Sequence, residues 1–203
     1  MSITDKRHSD PERALSRRKQ VLDAAAVCFS RSGFHGASMA EISKAAGMSA
    51  GHIYNYFDGK DAIIAAFVEQ NVERISALMR NLEQHADPLQ AMLDEVPNNV
   101  RENLNPATWA LQLEICAEAA RNPKIAALLH DADLRSRSQF RVLMRRAREQ
   151  HQLAADDATL DGRMAALIAM YQGLHIRALH NPGQDEAEVV AAVRISVKAL
   201  LFS

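Results

Sequence analysis

The sequence predicts an all-α protein, and three observations support that fold class. Apolar residues recur at the three- and four-residue spacing of amphipathic helices, whereas the alternation typical of strands is hard to find. Ala and Leu are plentiful, while Gly and aromatic residues are few. Asp-Pro or Asn-Pro pairs that begin at residues 10, 87, 105 and 122 each combine an N-cap residue with proline at the first helical position.

These signals predict nine helices, in chain order at residues 11–33, 38–46, 49–57, 60–84, 88–103, 106–120, 123–151, 156–181 and 185–202. Pro97 is expected to end or kink the fifth helix, because proline lacks the backbone N–H that a helix interior needs. Asn181-Pro182-Gly183 predicts a turn between the last two helices. The polar segment 1–10 is predicted to be a disordered arm.

The first helix is amphipathic, and its predicted inner stripe contains Val21, Leu22, Ala25, Phe29 and Ser32. A short connection at residues 33–36 lets this helix pack across the next two. A basic cluster lies near the helix start and leaves two interpretations open, a solvated helix end or a set of phosphate contacts; its members are Arg17, Arg18 and Lys19.

The second and third helices carry their own start and stop signals. Ser38 followed by Glu41 is a capping box, in which each side chain satisfies a backbone N–H of the helix start. Gly47 suits the left-handed residue that ends one helix, and Ser49 can cap the next. Ala45, Ala46 and Ala50 are small enough to let two helices cross closely. The segment therefore predicts a helix-turn-helix, whose second helix enters the DNA major groove.

A 100° step per residue divides the third helix into an inner and an outer side. Ile53, Phe57 and Ala50 are predicted to face inward, and the outer side is predicted to consist of Gly51, His52, Tyr54, Asn55 and Asp58. Asn can pair with adenine, and His can donate to guanine or to phosphate. The tyrosine hydroxyls can contact phosphate, although helix packing is an alternative role for Tyr56.

Other groups are expected to position the duplex rather than to recognise its sequence. Ser38 and Ser49 leave hydroxyls and amides at helix starts, where phosphate binds readily, and Lys60 can contact the backbone nearby. Residues 1–60 contain nine Lys or Arg and six Asp or Glu, whereas the remaining residues contain 15 and 19, respectively. A basic head on an acidic body fits a DNA-binding module attached to a domain without that role.

Residues 17–67 resemble the DNA-binding domain of the TetR (tetracycline-repressor-like) family of regulators. The resemblance rests on five stretches, namely Gly33-Phe34 and residues 38–42, 46–49, 51–57 and 60–61. It implies backbone contacts for Ser38, Ser49, Tyr54, Tyr56 and Lys60, and base contacts for Ala50, Gly51, His52 and Asn55. Two positions depart from the family pattern, because Ala50 is often polar in relatives and Tyr56 replaces a common His. Arg18, from the basic cluster near the start of the first helix, is also predicted to bind DNA.

The resemblance also implies a division into two domains, a helix-turn-helix domain at 11–58 and a ligand-binding and dimerisation domain at 59–203. The helix at 106–120 is apolar on most sides and is expected to be buried. Glu114 is expected to be its most enclosed polar residue, facing either a cationic ligand or an arginine such as Arg121. A ligand pocket with few polar groups is predicted to be lined by Met79, Trp109, Gln112, Glu114, Phe140, Met144, Tyr171 and His175.

The last two helices each carry more apolar surface than one neighbour can cover, and small residues permit close approach. Two copies are therefore predicted to pack as a four-helix interface, as the resemblance also implies. Two-fold symmetry would place the recognition helices about 34 Å apart on a pseudo-palindrome.

Composition and spacing argue against several other functions. Cys28 and Cys116 form no disulfide or metal pattern, no apolar run is long enough to span a bilayer, and residues 1–20 lack a hydrophobic signal core. The chain is therefore expected in the cytoplasm. The arginine run at 135–148 is interpreted as a solvated helix face. No metal site, cofactor or catalytic set is predicted.

The predicted function is a homodimeric, ligand-responsive transcription factor, a repressor released from a DNA operator by a small-molecule effector. The alternative from another class is a helical interaction protein or enzyme that retains a helix-turn-helix fold. Within the regulator hypothesis, control of an efflux pump is slightly preferred over control of a metabolic pathway.

Overall fold

The computed structural model describes residues 11–203, all of which belong to one chain. Residues 1–10, including the predicted arm and the N-cap predicted at Asp10, lie outside the described residues. Over the described range the chain forms ten α-helices and no strand: α1 Pro11–Gly36, α2 Met39–Ala45, α3 Ala50–Ile53, α4 Lys60–Leu82, α5 Pro88–Asp94, α6 Val96–Leu104, α7 Pro106–Ala119, α8 Pro123–Gln150, α9 Asp157–His180 and α10 Glu186–Phe202. The predicted all-α fold class is confirmed.

The helix predicted at 88–103 is two helices, which raises the predicted nine to ten. Pro97 has no N–H to donate to the carbonyl of Leu93, its i−4 partner in a continuous helix. The guanidinium of Arg194 in α10 donates to that carbonyl instead, at 3.0 Å. The chain therefore ends α5 at Asp94 and starts α6 with proline in its first turn.

The helix predicted at 49–57 is shorter than expected. Regular α-helix covers Ala50–Ile53, and the chain then continues as turns that are closed by hydrogen bonds from Tyr56 N–H and Phe57 N–H to the carbonyl of Ile53. Ala45 and Ala50 are exposed, so only Ala46, at 3% exposure, occupies the close helix crossing predicted for all three alanines. The prediction that Ala50 faces inward is wrong.

Side-chain caps begin most of the other helices. Asp87, Asn105 and Asn122 each accept a hydrogen bond from a backbone N–H in the first turn, and each precedes proline. These three predicted starts are confirmed. Gly47, with φ of +61°, occupies the left-handed region after α2, where a side chain would strain the backbone.

Two groups of buried apolar side chains form the core. The first joins α1, α2 and the turn after α3 to α4, α7 and α8, with members such as Phe29, Ile42, Phe57, Ile63 and Ile115. The second joins α5 and α6 to α8, α9 and α10, with members such as Leu89, Val100, Met144, Met164 and Val197. The helix-turn-helix is therefore anchored on the first group.

The arginine run of α8 was predicted to be a solvated face, which holds for Arg146, 72% exposed, but not for the fully buried Arg148, and other members form ion pairs with neighbouring helices. Arg135 binds Glu69 of α4 through two hydrogen bonds of 3.1 and 2.6 Å, and Arg141 donates twice to Asp161 of α9. Arg145 pairs with Asp157 of α9. These arginines connect α8 to its neighbours, which leaves their charge largely neutralised.

Candidate DNA-binding surface and effector region

The helix-turn-helix is built by the local signals in its sequence. The hydroxyl of Ser38 accepts from the N–H of Glu41 at 3.1 Å, and the carboxylate of Glu41 accepts from the N–H of Ser38 at 2.8 Å. This reciprocal pair is the predicted capping box, and it lowers the pKa of Glu41, chiefly through the backbone hydrogen bond. Ser49 accepts from the N–H of His52 and so caps α3 as predicted.

The outer side of α3 is open to solvent, while its inner side is buried. Ile53 is fully buried and Phe57 is 2% exposed, which fixes the rotation of the helix on the core. The residues predicted for base or phosphate contact are exposed on the other side: Ser49, Ala50, Gly51, His52, Tyr54 and Asn55. The structure thus brings the predicted readout residues onto one accessible surface, which we call the recognition surface.

Two residues of the recognition surface are linked to each other. The rings of His52 and Tyr56 meet edge to face with centroids 5.4 Å apart, and the Tyr56 hydroxyl lies 3.5 Å from His52 Nε2. Tyr56 is half-buried, so it combines the packing role and the solvent-facing role between which the sequence left a choice.

Arg18 stabilises the turn that follows α3. Its guanidinium donates to the carbonyl of Tyr56 at 3.1 Å and lies 4.3 Å from the centroid of the Phe57 ring. The remaining N–H groups of an exposed guanidinium still face solvent, so the predicted phosphate contact stays compatible with this position.

Lys60, which was predicted to contact the DNA backbone, binds the protein's own main chain. Its ammonium donates to the carbonyls of Phe34 and Ala37 at 2.5 and 2.9 Å and lies 4.5 Å from the centroid of the Phe34 ring. Lys60 therefore holds the connection between α1 and α2, and its DNA contact stays a prediction.

Part of the predicted effector pocket comes together where α6, α7 and α9 meet. The rings of Trp109 and His175 are stacked with centroids 6.0 Å apart, and His175 Nε2 lies 2.6 Å from the side-chain oxygen of Asn103. Burial lowers the pKa of His175, and burial also raises the pKa of Tyr171 against a hydrogen bond with Asn99. We call these five residues the Trp109 cluster.

The Trp109 cluster contains an unsatisfied donor. Trp109 is 5% exposed, and its indole N–H has no hydrogen-bond partner among the described residues. A buried N–H without an acceptor costs free energy comparable to a lost hydrogen bond.

The other residues predicted for the pocket lie elsewhere. Met144 is fully buried in the second core group, Phe140 packs beside it, and Met79 is half-buried on α4. Gln112 donates to the sulfur of Cys116 at 3.8 Å within α7. Their ligand contacts stay predictions, since the structure does not place them with the Trp109 cluster. Cys116 itself is exposed, which corrects the expectation of a wholly buried helix.

The most enclosed carboxylate of α7 is Glu118, and the prediction that it is Glu114 is wrong. Glu118 is 2% exposed and accepts from Arg121 Nε at 2.9 Å and from Asn122 Nδ2 at 3.1 Å. Glu114 is half-buried and accepts from the backbone N–H of Phe34 at 3.3 Å. Glu114 therefore contacts the end of α1, an arrangement that neither interpretation of the sequence contained.

Sequence reasoning also missed Asn99 and Asn103, which face α9 from α6. Their four-residue spacing places them on one helix face. The sequence near them does not indicate that this face packs against His175 and Tyr171. None of the helices at residues 11–203 is both long enough and apolar enough to cross a membrane.

A helix-turn-helix with an exposed polar surface on its second helix, mounted on a helical body, defines a DNA-binding transcriptional regulator. The family model for bacterial regulatory proteins of the tetR family matches residues 21–67, and that for the C-terminal domain of BetI-type transcriptional repressors matches residues 85–201. The chain belongs to the TetR family of transcriptional regulators. Regulators of this family bind DNA operators and small-molecule effectors and act as dimers.

Relatives with known names support this assignment. The transcriptional regulator UidR of Escherichia coli K12 is 32% identical over 143 residues, which cover 70% of this chain and 72% of UidR. The HTH-type regulator Rv1255c of Mycobacterium tuberculosis is 28% identical over 181 residues, 86% of this chain and 80% of that protein. The structure of Salmonella enterica GusR superposes with a TM-score of 0.75 at 28% identity, over 92% of this chain and 96% of GusR.

Proposed function

We propose that the chain is a homodimeric repressor that binds a pseudo-palindromic operator and leaves it when a small molecule binds the body. The observation that carries this proposal is the recognition surface, where hydrogen-bonding side chains are exposed around Gly51 while Ile53 and Phe57 anchor the helix. A glycine at the centre allows the helix backbone to approach the base edges closely. Repression rather than activation is favoured by the match to the C-terminal domain of BetI-type repressors. Such a protein acts on chromosomal DNA, so we place it in the cytoplasm.

The proposed dimer forms through α9 and α10. Both helices present exposed apolar and small residues on the side away from their own core, and these residues are Ala165, Ala169, Ile176 and Leu179 of α9 and Ala191, Ala192 and Ile195 of α10. A contiguous apolar face of this kind on a protein surface marks an interaction site. A two-fold axis through this face would hold the recognition surfaces about one helical turn of DNA apart.

For the effector we propose the Trp109 cluster as the binding site. Four of its five residues offer amide, imidazole or hydroxyl groups in addition to the Trp109 N–H, so the region suits a polar ligand with hydrogen-bond acceptors. This chemistry favours a metabolite over the lipophilic substrates of an efflux pump, against the slight preference drawn from the sequence. Ligand binding would release DNA if the ligand binds more tightly to the dimer conformation with the wrong helix spacing.

Electrophoretic mobility shift tests the DNA-binding part of the proposal. The protein is incubated with a random-sequence duplex pool, the bound fraction is sequenced, and the enriched duplex is titrated at several salt concentrations. We expect a palindromic site with specific binding that weakens as salt rises, because phosphate contacts release counterions. A failure to enrich any site, or binding that does not distinguish the selected duplex from scrambled DNA, contradicts the proposal.

The fluorescence of Trp109 tests the effector part, because it is the one tryptophan in the chain. Fractions of small polar metabolites and, separately, the lipophilic cation tetraphenylphosphonium are added to the protein–operator complex. A polar fraction that changes Trp109 emission and releases the operator supports the metabolite proposal. Release by tetraphenylphosphonium alone would instead favour efflux control.

A further inference from the structure

We infer that Glu114 and Glu118 of α7 are positioning residues, which hold the bend at Gly33–His35 and thereby set the operator half-site spacing that the dimer accepts. This inference rests on the proposed function, because spacing matters only to a dimer that binds two half-sites. Glu114 and Glu118 are two carboxylates of the C-terminal domain (residues 59–203), which we call the body, and both bind the last turn of α1.

The bend itself is shaped for a carboxylate. Gly33 has φ of +69° and ψ of 168°, so the regular helix breaks there and one further turn follows. The break directs the N–H of Phe34 toward Glu114 Oε2, at 3.3 Å. A Cβ atom at position 33 would also lie 3.3 Å from that oxygen. Glycine is therefore favoured here by its backbone angle and by the close approach of Glu114.

One turn further along α7, Glu118 binds the next residue of the bend. His35 Nε2 lies 3.0 Å from Glu118 Oε2 and 3.2 Å from Arg121 Nε. His35 Nε2 thus lies between the carboxylate of Glu118 and the guanidinium of Arg121, which ties the imidazole ring to the end of α7. Burial opposes ionisation of Glu118, but Asn122, His35 and Arg121 together lower its pKa, and the carboxylate stays charged.

The same bend is held from the other side by α4. Lys60 donates to the carbonyl of Phe34, the residue whose N–H binds Glu114. Because the two peptide groups that flank Phe34 are bound by different helices of the body, the bend follows α4 and α7 when either one moves. The chain reaches Ala37 and the Ser38 cap immediately afterwards, so a rotation at the bend changes the direction of α2 and α3.

Helix α7 also contains a residue of the proposed effector site. Trp109 and Glu118 are nine residues apart on this helix, about 14 Å at 1.5 Å per residue. A ligand that binds against Trp109 and shifts α7 would therefore shift both carboxylates that hold the bend. The bend is thus the point at which a change in the body alters the separation of the recognition surfaces.

The test measures spacing preference. The duplex selected by the wild-type dimer is compared with duplexes in which one base pair is inserted or removed between the half-sites. For Glu118→Gln we expect the affinity ratio between the best and the altered spacings to fall about fivefold or more, the lower end of typical coupling between sites. The exposed His35→Ala variant, which leaves the core intact, should lower the ratio in the same direction. Glu149→Gln, which removes an exposed carboxylate of α8, should keep the wild-type ratio.

A wild-type ratio in folded Glu118→Gln and His35→Ala would overturn the inference and leave the proposed function standing. If Glu118→Gln does not fold, His35→Ala decides alone. If the wild type selects no duplex, the proposed function fails, and a measurement without DNA then tests whether the bend sets the separation of the recognition surfaces in the dimer. In that case nitroxide labels on Asn55→Cys, in a Cys116→Ser background, report the distance between recognition surfaces in the dimer. If the bend sets this separation, the distance distribution between the two labels is broader or shifted in His35→Ala. An unchanged distribution contradicts that role of the bend.

Discussion

The residue that anchors α3 on the core and a residue that we predict to contact DNA are only two positions apart. Ile53 is fully buried, whereas Asn55 is exposed. Asn55 lies in the turn that follows α3, so the packing of Ile53 determines the direction in which Asn55 points. The predicted readout by Asn55 would therefore depend on core packing as well as on its own amide.

Asn55→Ala should relax sequence preference at one base pair of each half-site. An amide that pairs with adenine contributes about 1–3 kcal/mol of discrimination against the wrong base. Tyr54→Ala, at a side chain that is 51% exposed, should instead weaken binding to all sequences alike through loss of a backbone contact. Affinities for a set of single-base operator variants distinguish the two effects, and equal losses on cognate and scrambled DNA for Asn55→Ala would refute its readout role.

His175 should make the stability of the body depend on pH. Burial lowers its pKa below the ordinary 6.5, so below that pH the unfolded chain binds more protons than the folded one. The stabilisation is present above pH 6.5 and is lost as the pH falls through the lower folded value. His175→Gln keeps a donor for Asn103 but cannot titrate.

Urea unfolding monitored by Trp109 fluorescence, between about pH 7.5 and about pH 5.5, should show a larger loss of unfolding free energy in the wild type than in His175→Gln. Protein concentration is held constant, since dimer formation contributes to the measured stability. Parallel pH profiles for the two proteins would contradict the lowered pKa of the half-buried His175.

At the scale of the helices, the end of α10 depends on an arginine from another helix. Arg148 of α8 is fully buried, and its guanidinium donates to the carbonyls of Ala154, Leu201 and Ser203 at 2.7 to 2.9 Å. Carbonyls at a helix end have no intrahelical donor, and a cation there also complements the helix dipole. Arg148 therefore anchors the helix that we assign to the dimer interface.

Arg148→Ala should lower the free energy of unfolding by about 3 kcal/mol, because it leaves buried carbonyls without donors and opens a cavity. The neighbouring Arg146→Ala is the matched control, since that side chain is 72% exposed and reaches Glu83 only at 4.0 Å. Its effect should stay within about 0.5 kcal/mol. Chemical denaturation of both variants at one protein concentration checks the difference, and equal effects would refute the anchoring role.

The helices could be predicted from the sequence wherever their determinants are local. The Ser38–Glu41 capping box and the left-handed Gly47 involve residues within a few positions of each other, and both are present as predicted. Pro97 predicted a kink, but the restart of the helix there is stabilised by Arg194, which lies far along the chain. Local patterns contain no information about such a partner.

In the candidate site, too, the features set by local periodicity could be predicted, and those set by tertiary contacts could not. The exposed side of α3 followed from helical periodicity, since a short helix on a core has one inner face. Glu114 and Glu118 are four residues apart on one face of α7, so periodicity could not say which is the more enclosed. That difference depends on His35 and Phe34, which reach the two carboxylates only through tertiary packing.

For the molecule as a whole, the two core groups pack the N-terminal and the C-terminal helices separately. The first group joins the helix-turn-helix to α4, α7 and α8, and the second joins α5, α6, α8, α9 and α10. Helix α8 contributes to both groups, and α7 connects the Trp109 cluster to the bend at Gly33. If both proposals hold, the separation of the recognition surfaces is determined jointly by the dimer interface and by the bend.

Ile195 provides the sharpest test of that arrangement, because it is 73% exposed in the single chain and lies in the middle of α10. Ile195→Glu should leave the monomer folded, since no core packing is lost, but it would place a charge near its symmetry mate across the proposed two-fold axis. We expect the dimer to dissociate in analytical ultracentrifugation, while the circular dichroism spectrum keeps its helical form. Operator affinity should fall by about a hundredfold or more, because a monomer that binds one half-site does not hold a second recognition surface at high effective concentration near the other half-site.

Leu134→Glu, which charges an apolar residue of α8 that is 52% exposed, is the matched control and should stay dimeric. A dimeric Ile195→Glu with wild-type operator affinity would show that the dimer does not form through this face of α10.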